Sequence, residues 1–143
     1  MTRRALIAEV FMRVLYPLLL AAAIWVLLRG HNAPGGGFIA GLLAVAASAA
    51  YALVFDARQA LRRLPLGPVR LAAGGVLLAL LSGLPALWQG RPFLSHPWLS
   101  FGLAGIDIPF STVMLFDLGV FLAVWGALAG YCLKLVESIE EEP

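Results

Sequence analysis

Charge is scarce in this chain of 143 residues, with Lys, Arg, Asp and Glu making up 13% of it, about half the share usual in a soluble domain. Ten basic and eight acidic side chains cannot solvate the surface of an ordinary globular enzyme, and 62% of the residues are apolar, with a mean hydropathy of +0.92. The bilayer is therefore the expected solvent. Cysteine is almost missing. Cys132 stands alone, which excludes an intrachain disulfide, a CxxC redox pair and a thiolate zinc cluster. His31 and His96 are too far apart in sequence to suggest a metal site. No metal, cofactor or catalytic residue is expected. The net charge is +2, but the basic residues lie between apolar runs and form no stripe, so no nucleic-acid partner is expected either.

What the chain does have is length in apolar runs. About 20 apolar residues cross a hydrocarbon core of about 30 Å, and four stretches meet that measure: about 10–28, 38–55, 69–88 and 110–135. The expected fold is an all-α integral membrane protein, a single membrane domain over residues 1–143. Gly30 ends the first span, and Asp56 ends the second before a polar stretch to Arg63. The third begins after Pro65 and Pro68 and carries Pro85, which can bend its last turn. Between the third and fourth spans lies a long outer loop, 89–109, broken by Gly90, Pro92, Pro97, Gly102 and Gly105, with room for short strands about Gly102 to Gly105. That loop is apolar enough, through Phe93, Trp98 and Phe101 among others, to lie on the membrane interface or against another protein of a complex.

Orientation follows from the cations, which are retained on the cytoplasmic side. Arg3, Arg4, Arg13, Arg58, Arg62, Arg63, Arg70 and Lys134 fall on one side of a four-span arrangement, and Arg29 and Arg91 on the other. Both termini are thus expected to be cytoplasmic. A cleaved signal peptide ending near Ala21-Ala22-Ala23 is the competing reading, but the apolar run continues through Leu28 and would leave an apolar stub.

Lipid supplies little hydrophobic drive between helices, so small residues that admit close backbone contact are the expected glue. The second span has Gly37 and Gly41, plus a stripe of Gly36, Ala40, Ala44, Ser48 and Ala52. The third has Gly75, Ala79 and Gly83. The fourth has Gly119, Ala123 and Ala127, plus Gly126 and Gly130. Two such faces on one span leave room for other subunits outside the bundle, although Ala- and Gly-rich composition alone would produce similar stripes.

Two segments concentrate unusual chemistry. The first, Gly30-His31-Asn32-Ala33-Pro34-Gly35-Gly36-Gly37-Phe38, runs three glycines into a helix start. Consecutive glycine N–H groups there can form an anion nest, and His31 can titrate near neutral pH. The plainer reading is a helix cap, a Pro34-Gly35 turn and close packing at Gly36 and Gly37. The second is Asp117, placed inside the fourth span at about 10 Å past the Pro109-Phe110 boundary. An intramembrane carboxylate signals an ion path, a proton carrier or a buried pairing partner. Ser111 and Thr112 precede it and can share a polar seam with it.

The glycine-rich segment and Ser111-Thr112-Val113-Met114-Leu115-Phe116-Asp117-Leu118-Gly119-Val120 together resemble the signature of the MnhB (or MrpB) type component of the Mrp multisubunit sodium/proton antiporters. Relatives often carry proline where this chain has Val113. The resemblance covers length, four spans and the long third loop. It implies an accessory subunit of a plasma-membrane complex exchanging Na+ for H+, with other complex subunits and the bilayer as partners. Asp117, Thr112 and Ser111 are then candidates for the ion path or for assembly. A purely structural scaffold and the equivalent module of a membrane-bound hydrogenase-type complex are the alternatives.

Overall fold

A computed structural model of the chain describes residues 3–30, 36–88, 90, 92, 98–103 and 106–140. Four segments are long and apolar enough to cross a membrane: Leu6–Arg29, Gly37–Val54, Ala57–Trp88 and Thr112–Ile139. The first belongs to α1 (Arg3–Arg29), which begins well before the apolar run because Arg3, Arg4, Glu9 and Arg13 favour helix as readily as its apolar residues do. The second is α2 (Gly37–Val54).

A short helix, α3 (Ala57–Arg63), occupies the polar stretch after α2. Its start is fixed by Asp56, whose carboxylate accepts from the Gln59 backbone N–H at 2.5 Å while the Gln59 side-chain amide donates back at 2.6 Å. This is a close variant of the capping box. The backbone hydrogen bond from Gln59, followed by its side-chain bond, holds the Asp56 carboxyl below the usual range. A depressed folded value means that the cap stabilises α3 above the ordinary aspartate pKa and is lost as pH falls through the folded one. Glu137 on the last helix accepts from Arg58 of α3 at 3.0 Å and from Lys134 at 2.7 Å, tying the chain's end to this corner.

The third crossing is split into α4 (Pro68–Leu81) and α5 (Leu84–Trp88). Pro85 explains the break: its ring collides with the carbonyl four residues back in a continuous helix, and residue 81 is where α4 stops. Ser82 closes the end by donating its hydroxyl to the Ala79 carbonyl at 2.6 Å.

Outside the helical bundle the chain forms a short β-hairpin. Strands β1 (Trp98–Leu103) and β2 (Ile106–Ser111) pair antiparallel, with Leu103 opposite Ile106 and Trp98 opposite Ser111. The strands expected about Gly102 to Gly105 thus extend further in both directions; Gly102 is next to the end of β1, and Gly105 lies outside the described residues. Phe110, placed in the fourth span from sequence, belongs to β2; Pro109 is tolerated because both strands of a two-stranded sheet are edges. The fourth crossing consists of α6 (Thr112–Val124), a π-helical turn (Trp125–Ala129) and α7 (Gly130–Glu140).

The spans stand in a row, α1 against α2, α2 against α6 and α6 against α4. Glycine sets the closest approaches. A Cβ on Gly75 would lie 2.6 Å from the Gly119 carbonyl oxygen, and one on Gly119 would lie 2.7 Å from that of Gly75, so α4 and α6 touch backbone to backbone. Lower down the same seam, Gly126 meets the Pro68 carbonyl and Gly130 meets the Pro68 ring. Gly41 of α2 faces Val124 and Phe121, while Ala40, Ala44 and Ala47 are wholly buried. The glycines of the second and fourth spans are therefore met within the chain, while Ala127 of the fourth stays exposed. What remains open is large and apolar: Val10, Phe11 and Trp25 on α1, and Val76, Leu77 and Leu80 on α4.

One buried polar hub lies between α2 and the π-helical turn. Ser48 donates its hydroxyl to the Ala44 carbonyl and accepts from Trp125 Nε1, both at 2.9 Å. Replacing Ser48 with valine fills similar volume but strands the Trp125 N–H in an apolar interior, at a cost of about 1 kcal/mol or more. Thermal denaturation of the purified protein should show a lower midpoint for Ser48→Val than for Ser48→Thr, which retains the hydroxyl.

Candidate functional site

The two segments singled out in the sequence meet in space. Helix α2 starts at Gly36, whose φ of 98° lies in the left-handed region that L side chains rarely adopt. Its backbone N–H donates to the Val26 carbonyl at 3.4 Å, turning the chain back against α1. Glycine is needed next door for a different reason. A Cβ on Gly37 would fall on the carbonyl oxygen of Asp117, so α2 and α6 are in direct backbone contact there.

The carboxylate of Asp117 lies beside the same turn. A Cβ built on Gly36 would sit 3.6 Å from Asp117 Oδ2 and 3.9 Å from Oδ1. First-turn N–H groups of a helix have no intrahelical acceptor and carry its partial positive charge, so the start of α2 is a favourable neighbour for an anion. Among the described residues no Lys or Arg is within salt-bridge distance of Asp117.

Asp117 is less deeply placed than its distance from Pro109 suggests. Because α6 begins at Thr112, Asp117 lies about 7.5 Å along the helix, level with the first residues of α2 and half-buried. It stands near the mouth of the bundle. Thr112 is buried at the first turn of α6, and Ser111 is the last residue of β2. Of the loop motif, Gly36 and Gly37 form this contact, and His31, Asn32, Pro34 and Gly35 lie outside the described residues. Gly41, Gly119, Gly126 and Gly130 are all at helix crossings.

The π-helical turn is the feature that sequence reasoning missed. It presents Trp125 to Ser48 on α2 and Gly126 to α4 in consecutive positions. Such widened turns recur at functional sites, and no residue pattern in Trp125-Gly126-Ala127-Leu128-Ala129 announces one. Among the described residues no group of three or more His, Cys, Asp or Glu side chains could hold a metal ion.

Comparisons with known proteins give the chain's family. The family described as a domain related to the MnhB subunit of Na+/H+ antiporters matches residues 7–130. The chain is 34% identical over 126 residues to a Bacillus subtilis protein named as the B component of a Na+/H+ antiporter, covering 87% of this chain and 85% of that one. It is 38% identical over 142 residues to a Rhizobium meliloti protein named as the probable A/B component of a K+/H+ antiporter, covering 96% of this chain but 14% of the relative. A chain in the solved Mrp complex from Dietzia superposes with a TM-score of 0.78 at 34% identity, over 98% of this chain and 15% of that longer one.

Proposed function

We propose a function on one premise: the chain belongs to the family of domains related to the MnhB subunit of Na+/H+ antiporters. It is the B-type component of a multisubunit Na+/H+ antiporter, a multi-pass plasma-membrane protein that works with other subunits and has no catalysis of its own. The observation that carries a specific role is the meeting of Asp117 with Gly36 and Gly37. It joins the two segments of the resemblance into one half-buried acidic position at the mouth of the bundle. Asp117 there lies on the path of the exchanged cation and proton, with Thr112 and Ser111 at the same end. A scaffold role for Asp117 is the second reading, favoured by the fact that its backbone is itself the surface on which Gly37 rests.

Both termini and the segment around α3 are cytoplasmic, and the Asp117 end of the bundle faces out. Supporting this, Arg58, Arg62, Arg63 and Arg70 lie on or beside α3, at the opposite end of α2 from Gly36. An affinity-tagged chain is expected to copurify with the large antiporter subunits, and vesicles from cells lacking it should lose Na+/H+ exchange. A tagged chain that purifies alone, with exchange intact in its absence, refutes the assignment. With Cys132 replaced by serine, a cysteine at Ala33 should react with an impermeant reagent in intact cells and one at Gln59 should not; the opposite labelling reverses the topology.

A further inference from the structure

The end of the bundle opposite Asp117 carries a second concentration of charge. Buried Tyr16 of α1 and Tyr51 of α2 have ring centroids 5.1 Å apart, and Phe55 stacks on Tyr51 at 4.4 Å. Two guanidinium groups cover this stack. Arg63, the last residue of α3, lies 4.8 Å from the Tyr51 centroid and 5.7 Å from that of Tyr16. Arg13 of α1 lies 5.9 Å from the centroid of Phe55.

Both arginines are exposed, and among the described residues neither has a carboxylate within salt-bridge distance. Of the nearby acidic groups, Asp56 is engaged with Gln59 and Glu137 with Arg58 and Lys134, and Glu9, one turn before Arg13 on α1, is not within salt-bridge distance of it. An aromatic ring satisfies the flat face of a guanidinium but leaves its N–H edge undonated. That edge matches two oxygens of a phosphate. The level fits as well, because α2 is a membrane-crossing length of apolar helix that ends at Val54, beside both groups, and a bilayer spanned by it would put its headgroup layer there.

We propose that Arg13 and Arg63, held over the Tyr16, Tyr51 and Phe55 rings, bind the phosphate of an anionic phospholipid headgroup. Inorganic phosphate offers the same chemistry, but only a lipid is delivered at this depth and concentration. The site needs the chain to be membrane-embedded and does not depend on the role given to Asp117.

The test uses the intact complex in vesicles containing a trace of phosphatidylglycerol with a photoreactive headgroup, and label on this chain is read from a gel. The Arg13→Gln/Arg63→Gln double variant should lose about 30-fold of the label, from about 1 kcal/mol for each cation. Arg63→Lys should lose less. Arg58→Gln, which removes a paired arginine from the same helix, should label like the parent, as should the double variant with a phosphatidylcholine probe. Unlabelled phosphatidylglycerol should compete, and millimolar inorganic phosphate should not. Equal labelling of parent and double variant overturns the proposal, and competition by inorganic phosphate overturns the lipid as occupant. If the double variant does not assemble, Arg63→Gln alone is read in the same way; unchanged label on it, or loss of another subunit with label unchanged, assigns the arginines to protein contact and overturns the proposal.

Discussion

Replacing Gly37 with leucine should remove most of the intact complex from the membrane. The obstacle is backbone: a Cβ at this position would overlap the Asp117 carbonyl and come within 3.1 Å of the Asp117 Cα. A side chain can change rotamer to make room, but here α2 and α6 must separate as rigid helices. Overpacking by a single methylene in a well-packed interior costs about 1–3 kcal/mol, and this case lies at or beyond the upper end. Even Gly37→Ala should lower the yield several-fold, and leucine more. Gly74→Leu is the matched control, because nothing lies within 4 Å of a Cβ there. The yield of intact complex on native gels should fall for Gly37→Leu and stay near the parent value for Gly74→Leu. Normal assembly of Gly37→Leu would mean that the α2–α6 contact is not needed.

Asp117→Asn should give the opposite pattern, with assembly kept and exchange lost. Asparagine has nearly the same volume and leaves untouched the backbone against which Gly37 packs, so the helix contact survives. It carries no charge to attract a cation and cannot take up or release a proton. Asp117→Glu keeps the carboxyl but displaces it by a methylene, so part of the activity should remain. The scaffold reading predicts otherwise: if a partner's cation pairs with Asp117, the amide leaves that charge buried without a counterion, at a cost of several kcal/mol, and the complex itself becomes scarce.

The four crossings were legible because membrane thickness sets a length that few other structures need. Gly36, Gly37 and Asp117 also stood out along the chain, since glycine runs at a helix start and a carboxylate in an apolar run are both costly without a reason. That they touch was not legible, because it depends on α6 lying between α2 and α4. The same row order explains why glycines on these faces are met inside the chain at the Gly75–Gly119 and Gly41–Val124 crossings. Helix α3 carried a local signal in Asp56 and Gln59 at capping spacing, hidden by the polar composition around it. Strands were legible about Gly102 to Gly105, but not their extent to Trp98 and Ser111, because Pro109 and the glycines mark a break as readily as they tolerate an edge strand. The Arg63 contact with Tyr51 and Tyr16 brings three elements together and has no signature along the chain.

Na+/H+ exchange in inverted vesicles carrying Asp117→Asn, normalised to intact complex on a native gel, tests most directly whether this acidic position at the mouth of the α2–α6 contact belongs to the ion path. Complex at parental abundance with exchange strongly depressed, and partly restored by Asp117→Glu, is the expected result. Full exchange by fully assembled Asp117→Asn complex would contradict it and remove the carboxylate from the path.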